Sequence, residues 1–117
     1  MTFYKECLGG ELILNVVGDS PVAEHVPKEM QHTILHSQLK TADFEIMASD
    51  MAPEGIKEGN DVHMCLICKS EEEIHRLFKA LSNGGKVIQP ISEMFFGLIG
   101  SCADKFGKRW MFEFDKK

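Results

Sequence analysis

Alternation of apolar and polar residues marks strands along most of this chain, and the alternation is broken twice by a short helical run that ends in paired glycines. Residues 2–8 read as a helix stopped by Gly9-Gly10, since glycine just past a helix takes up the backbone conformation that ends it. Residues 11–17 (ELILNVV) read as a strand, and residues 18–31, which hold Gly18, Pro21 and Pro27, as a loop. Residues 32–40 and 44–49 are expected to pair as a hairpin about the turn 41–43. Residues 50–60 carry Pro53, Gly55 and Gly59 and read as a connecting segment.

A strand over 61–69 (DVHMCLICK) then leads into a second helix. Ser70 is its expected N-cap, and Glu73, three residues on, completes a capping box. The acids Glu71, Glu72 and Glu73 suit the positive end of the helix dipole, so the run needs no functional explanation. Ile74, Leu77, Phe78 and Leu81 follow at helical spacing and predict one buried stripe. Asn83-Gly84-Gly85 ends the helix, and strands are expected over 86–91, 96–103 and 109–115.

The pattern therefore occurs twice: a helix, Gly-Gly, then three strands. The second copy has one strand more, 61–69, ahead of its helix. By symmetry a strand of that kind is missing from the front of the first copy, to be supplied by sequence ahead of Met1 or by a partner chain, the alternative being a short first module that does without it. The predicted fold is α+β: two βαβββ modules forming a curved mixed sheet with helices on its outer face, the first module lacking its leading strand. One domain is expected over 1–117, with modules at 1–52 and 61–117 and a linker at 53–60.

Composition agrees with a single small globular domain: 117 residues, 44% apolar and 26% charged. A net charge of −5 argues against nucleic acid or an anionic membrane as partner. The charged start lacks the apolar core of a secretory signal, and Cys7, Cys65, Cys68 and Cys102 are sparse for a disulfide scaffold. Cytoplasmic location and reduced thiols are expected.

Several stretches of the chain resemble the vicinal oxygen chelate superfamily, which includes glyoxalase I, extradiol dioxygenases and bleomycin- and fosfomycin-resistance proteins, and in particular its PhnB-like branch. They are Thr2-Phe3-Tyr4-Lys5 with Leu8-Gly9-Gly10, Leu35-His36, Ile46-Met47-Ala48-Ser49-Asp50, Phe95-Phe96-Gly97, and Asp104-Lys105-Phe106-Gly107 with Trp110. The chain departs from the branch in lacking the first strand, in having Phe96 where tryptophan is usual, and in a shortened segment at 97–100 without its usual basic residue. Proteins of this branch often carry a demethylubiquinone methyltransferase label. No glycine-rich strand-to-helix turn for S-adenosylmethionine occurs in this chain.

The resemblance implies a test for metal. Metalloenzymes of the superfamily take ligands from the first, fourth, fifth and eighth strands. The first position is absent here, the fifth-strand histidine matches His63, and the two carboxylate positions fall on Met47 and Met111. Thioethers are poor ligands for hard and borderline divalent ions. Glu45 and Glu113 lie two residues away on the same faces, about 7 Å off at the rise of a strand. No catalytic metal and no other cofactor are expected.

Cys65-Leu66-Ile67-Cys68 has the spacing of a zinc or redox pair, but on a strand residues three apart face opposite ways, so both are expected to be structural. The same alternation places His36, Gln38, Glu45, Met47, His63, Cys65, Met111 and Glu113 in one cup, with Phe96 at its rim. Leu35, Leu39, Ile46, Leu66, Trp110, Phe112 and Phe114 should face the helices. A mixed cup with adaptable methionine walls suits a small organic molecule. The expectation is a homodimer binding an unidentified small molecule. A metal-dependent lyase, isomerase or dioxygenase and a ligand-free dimeric interaction module are the alternatives.

Overall fold

In a computed structural model, which describes residues 1–52 and 54–116, the chain divides into two compact units, Met1–Ile56 and Lys57–Lys117. Pro53 of the expected linker and Lys117 at the end of the expected second module lie outside the described residues. The fold is α+β, with one helix and one sheet in each unit.

The first unit runs α1 (Thr2–Leu8), β1 (Glu11–Val16), β2 (Ile34–Lys40) and β3 (Glu45–Ala48). Its sheet is antiparallel, in the order β1-β2-β3. Phe3 and Cys7 of α1 are buried, as are Ser37 and Leu39 of β2. Residues 18–31, expected as loop, are not formless. Together with Val17 they form three short 3-10 segments, Val17–Asp19, Pro21–His25 and Lys28–Met30, and Val17 is fully buried. Proline opens the second of these, where its missing N–H costs nothing.

The motif at the end of β3 is explained by backbone stitching. The Ser49 hydroxyl donates to the Leu35 carbonyl at 2.6 Å, and Asp50 Oδ2 accepts the Ile34 N–H at 3.0 Å. Ser49 and Asp50 thus fasten the end of β3 to the start of β2.

The second unit runs β4 (Met64–Cys68), α2 (Glu71–Ser82), β5 (Lys86–Met94), β6 (Gly97–Ala103) and β7 (Arg109–Asp115). Its mixed sheet has the order β4-β7-β6-β5, with β4 parallel to β7 and the other pairs antiparallel. Ser70 caps α2 as expected, its Oγ accepting the Glu73 N–H at 3.0 Å. Glu73 reaches back to the Lys69 N–H, at 3.3 Å, one residue earlier than a standard capping box. Ile74, Leu77 and Leu81 are buried and Phe78 is half-buried, its ring packed edge-on against Phe112 with centroids 5.4 Å apart.

Strand β5 runs three residues further than the sequence predicts, through Pro90 and two register shifts. It is an edge strand, where a proline without an N–H and an irregular register are both tolerated. Strand β4 is shorter than predicted and begins at Met64, so residues 61–63 precede it.

The two units repeat one junction. Gly9 and Gly84 have φ of 77° and 79°, the left-handed region that favours glycine. The next glycine in each pair sits against a strand-end carbonyl: a Cβ on Gly10 would overlap the Lys40 carbonyl, and one on Gly85 the Ala103 carbonyl. The register is the same in both, Glu11 opposite Lys40 and Lys86 opposite Ala103. By that correspondence β1, β2 and β3 match β5, β6 and β7. Strand β4 then has no counterpart beside β3 among the described residues.

A buried carboxylate completes the second unit. Asp104 Oδ1 accepts the N–H groups of Phe106 (2.8 Å) and Lys108 (3.0 Å), while Oδ2 accepts the indole N–H of fully buried Trp110 at 2.9 Å. Substituting Asp104→Ala leaves those donors without their acceptor and is expected to destabilise the protein by about 3 kcal/mol. Gly85→Ala, which must displace backbone, should cost about 2 kcal/mol or more. Urea unfolding followed by circular dichroism checks both, and wild-type midpoints would refute them.

Candidate functional site

The side of each sheet away from the buried residues carries most of the predicted site. In the first unit, Gln38 stands directly across from Met47 and also across from Ile13, forming one row over three strands. His36 stands across from Asn15, two residues further along β2. Both also line a cavity of about 430 Å³ with Asp19, Ser20, Leu14 and Leu35. The segment Asp19–Pro21 thus supplies a wall beside His36. Met47 is 62% exposed, a large apolar side chain with little covering it. Glu45 is exposed and stands opposite Lys40, which is itself opposite Glu11, so its row alternates in charge.

In the second unit Cys65, Met111 and Ser101 form one row across β4, β7 and β6, continued by Gln89 on β5. The next row holds Ile67, Glu113, Ile99 and Ser92. Ile67 is 68% exposed. Ser101, Ile99, Gln89 and Asn15 were missed by sequence reading. Ile99 is half-buried on the face opposite buried Leu98 and Cys102, whereas Ser101, on the same face as Ile99, is itself buried, so the burial of β6 does not alternate. Gln89 could not be found by alternation either, since register shifts stand on either side of it.

Two predicted residues stand apart from these rows. His63, expected two residues into a strand, is exposed and lies just ahead of β4, outside its paired residues. Phe96 lies in the turn between β5 and β6, half-buried, where its carbonyl accepts the Lys116 N–H at 3.0 Å. Its neighbour Phe95 is fully exposed and packs edge-on against it, centroids 5.2 Å apart.

The cysteines divide as alternation requires: Cys65 is exposed and Cys68 buried, on opposite faces of β4. Partial burial and then the Glu113 charge raise the Cys65 thiol above its ordinary value. Burial first, then Glu73, pushes the Cys68 thiol up to about 11. Neither is set up as a thiolate nucleophile at neutral pH.

Comparison with known proteins identifies the family. The model of the Glyoxalase/Bleomycin resistance protein/Dioxygenase superfamily matches residues 1–112. The chain belongs to that superfamily. It is 31% identical over 121 residues to protein YjdN of Escherichia coli (strain K12), a match spanning 95% of this chain and 82% of that protein. The crystal structure of protein PA1353 from Pseudomonas aeruginosa superposes with a TM-score of 0.83 at 34% identity, covering 97% of this chain and 85% of the other. A PhnB protein from Bacillus cereus, described as a putative 3-demethylubiquinone-9 3-methyltransferase, shares the fold at TM-score 0.72 and 22% identity, covering 97% and 87% of the two chains.

The metal implied by many glyoxalase-superfamily enzymes does not fit these residues. Met47 and Met111 offer thioethers where carboxylates would be needed, and His63 stands outside its strand. Among the described residues no three His, Cys, Asp or Glu side chains gather into a metal-binding group.

Because Glu113 disfavours the Cys65 thiolate, Glu113→Gln should lower the Cys65 pKa and raise its alkylation rate at pH 8 roughly twofold. Iodoacetamide labelling read by peptide mass spectrometry checks this, with buried Cys68 as the slow internal control. An unchanged or slower rate at Cys65 would refute it.

Proposed function

We propose that this glyoxalase-superfamily chain binds a small organic molecule on the open faces of its sheets, without a catalytic metal, and works as a homodimer. The observation that carries this reading is the make-up of those faces. In the first unit exposed Met47 stands opposite Gln38, and in the second exposed Ile67 stands opposite Glu113 in the row next to Cys65 and Met111, a few polar groups set among adaptable apolar ones. Large apolar side chains in such numbers are covered by a ligand or a partner in most proteins. The thioethers of Met47 and Met111 suit an apolar ligand body far better than they suit a divalent ion.

The dimer rests on a separate observation. Strand β3 has no neighbour on its outer side among the described residues, whereas its counterpart β7 has β4 there. Unpaired edges attract further chain, and a second copy is the simplest source.

Light scattering at micromolar concentration should give about twice 13.2 kDa. A monomeric mass would remove the dimer and leave the ligand reading standing. Elemental analysis of protein purified without chelator or histidine tag should find well under one divalent ion per subunit. A full equivalent would make the chain a candidate metalloenzyme instead. In a thermal-shift screen of metabolites and antibiotics, a true ligand should raise the melting temperature saturably. Met111→Ala should weaken that ligand by about tenfold, as expected from lost apolar contact.

A further inference from the structure

Each sheet has two edge strands, and three of the four carry a charge or a proline. Strand β1 carries Glu11, β3 carries Glu45, and β5 carries Lys86, Pro90 and Glu93. Such residues on an edge resist the addition of further strands. Strand β4 has no such defence. Its five residues, Met64-Cys65-Leu66-Ile67-Cys68, hold no charge and no proline. It pairs with β7 on one side, and among the described residues no strand and no loop backbone bonds its other side. Ile67 is 68% exposed, and Val62, just ahead of the strand, is 74% exposed. An uncharged open edge bordered by exposed apolar side chains is a ready template for pairing.

The segment is also complementary to itself. A twofold axis sets a strand antiparallel beside its own copy. The start of each β4 then lies against the end of the other, so Asp61 approaches the partner's Lys69 at both ends of the pair. Side chains keep their faces only if residues of like parity stand opposite each other. An axis at Cys65 or at Leu66 meets that condition and sets uncharged residues across from one another. The next register on either side brings Asp61 opposite the partner's Ile67, or Lys69 opposite the partner's Cys65. Either favoured axis leaves the two Cys65 Cα atoms about 5–9 Å apart on one face.

From these observations we propose that a second copy of this chain adds antiparallel to the outer edge of β4. The second-unit sheets of the two copies then become one continuous sheet, and their Cys65 rows meet end to end. The inference rests on the homodimer reading and gives that dimer a contact besides β3.

The test treats the unaltered full chain, at micromolar concentration, with a short bismaleimide that joins thiols only where they lie close together. Covalent dimers should form in most chains, and mass spectrometry should find Cys65 peptides joined to each other. Cys7, Cys68 and Cys102 are buried and should stay out of the linked peptides. Ile67→Lys places a charge on this edge at an exposed position. It should weaken the dimer roughly tenfold or more in sedimentation equilibrium, and cut the Cys65 link to the level of chance collision, with the circular dichroism unchanged. A two-chain mass without the Cys65 link, or a link that persists in folded Ile67→Lys protein, would overturn the β4 contact and leave a dimer at β3. A one-chain mass would overturn both.

Discussion

The constraint that recurs in both units is the approach of backbone to backbone at the second glycine of each Gly-Gly pair. Gly10 and Gly85 sit where a side chain would overlap a strand-end carbonyl. That contact sets where the strand after each helix begins, opposite the last residue of its neighbour. Side chains alternate along a strand, so the starting register decides which residues of every later strand face the helix. Leu39 and Ser37 in one unit, and Trp110 and Phe112 in the other, are buried on that account. Gln38, Met47, Cys65 and Met111 are turned the other way.

Once the register is set, the motifs that mark the superfamily turn out to be largely structural. Ser49 and Asp50 tie β3 to β2. Asp104 gathers two backbone donors and the Trp110 indole. These residues hold the frame whatever occupies the faces, which is why the same fold accompanies differing chemistry. Met47 and Met111, where the resemblance would put carboxylate ligands, are paired on the sheet faces with Gln38 and with Cys65 and Ser101 and take no part in these frame contacts.

Charge is organised just as locally. Partial burial, and then Glu113 in the row beside it, raise the Cys65 thiol, while Lys57, Lys108 and Arg109 line one cavity with Asp61. The turn at residues 104–108 brings Lys108 and Arg109 into one cavity lining with Lys57 and Asp61.

The sequence by itself determined the two helices, nearly all the strands, the internal repeat and the division of faces. Each of these follows from short-range spacing: period two in β7, the Ser70 cap and apolar stripe of α2, and paired glycines after each helix. Tertiary structure decided what depends on neighbours distant along the chain. Strand β5 extends through Pro90 because it lies at an edge, and no local pattern reveals an edge. His63 falls outside β4 because the pairing with β7 begins only at Met64, opposite Trp110. The wall of Asp19–Pro21 beside His36 and the place of Gln89 in the Cys65 row arise for the same reason. Each is fixed by hydrogen bonds and packing between segments whose separation in sequence carries no periodic signal.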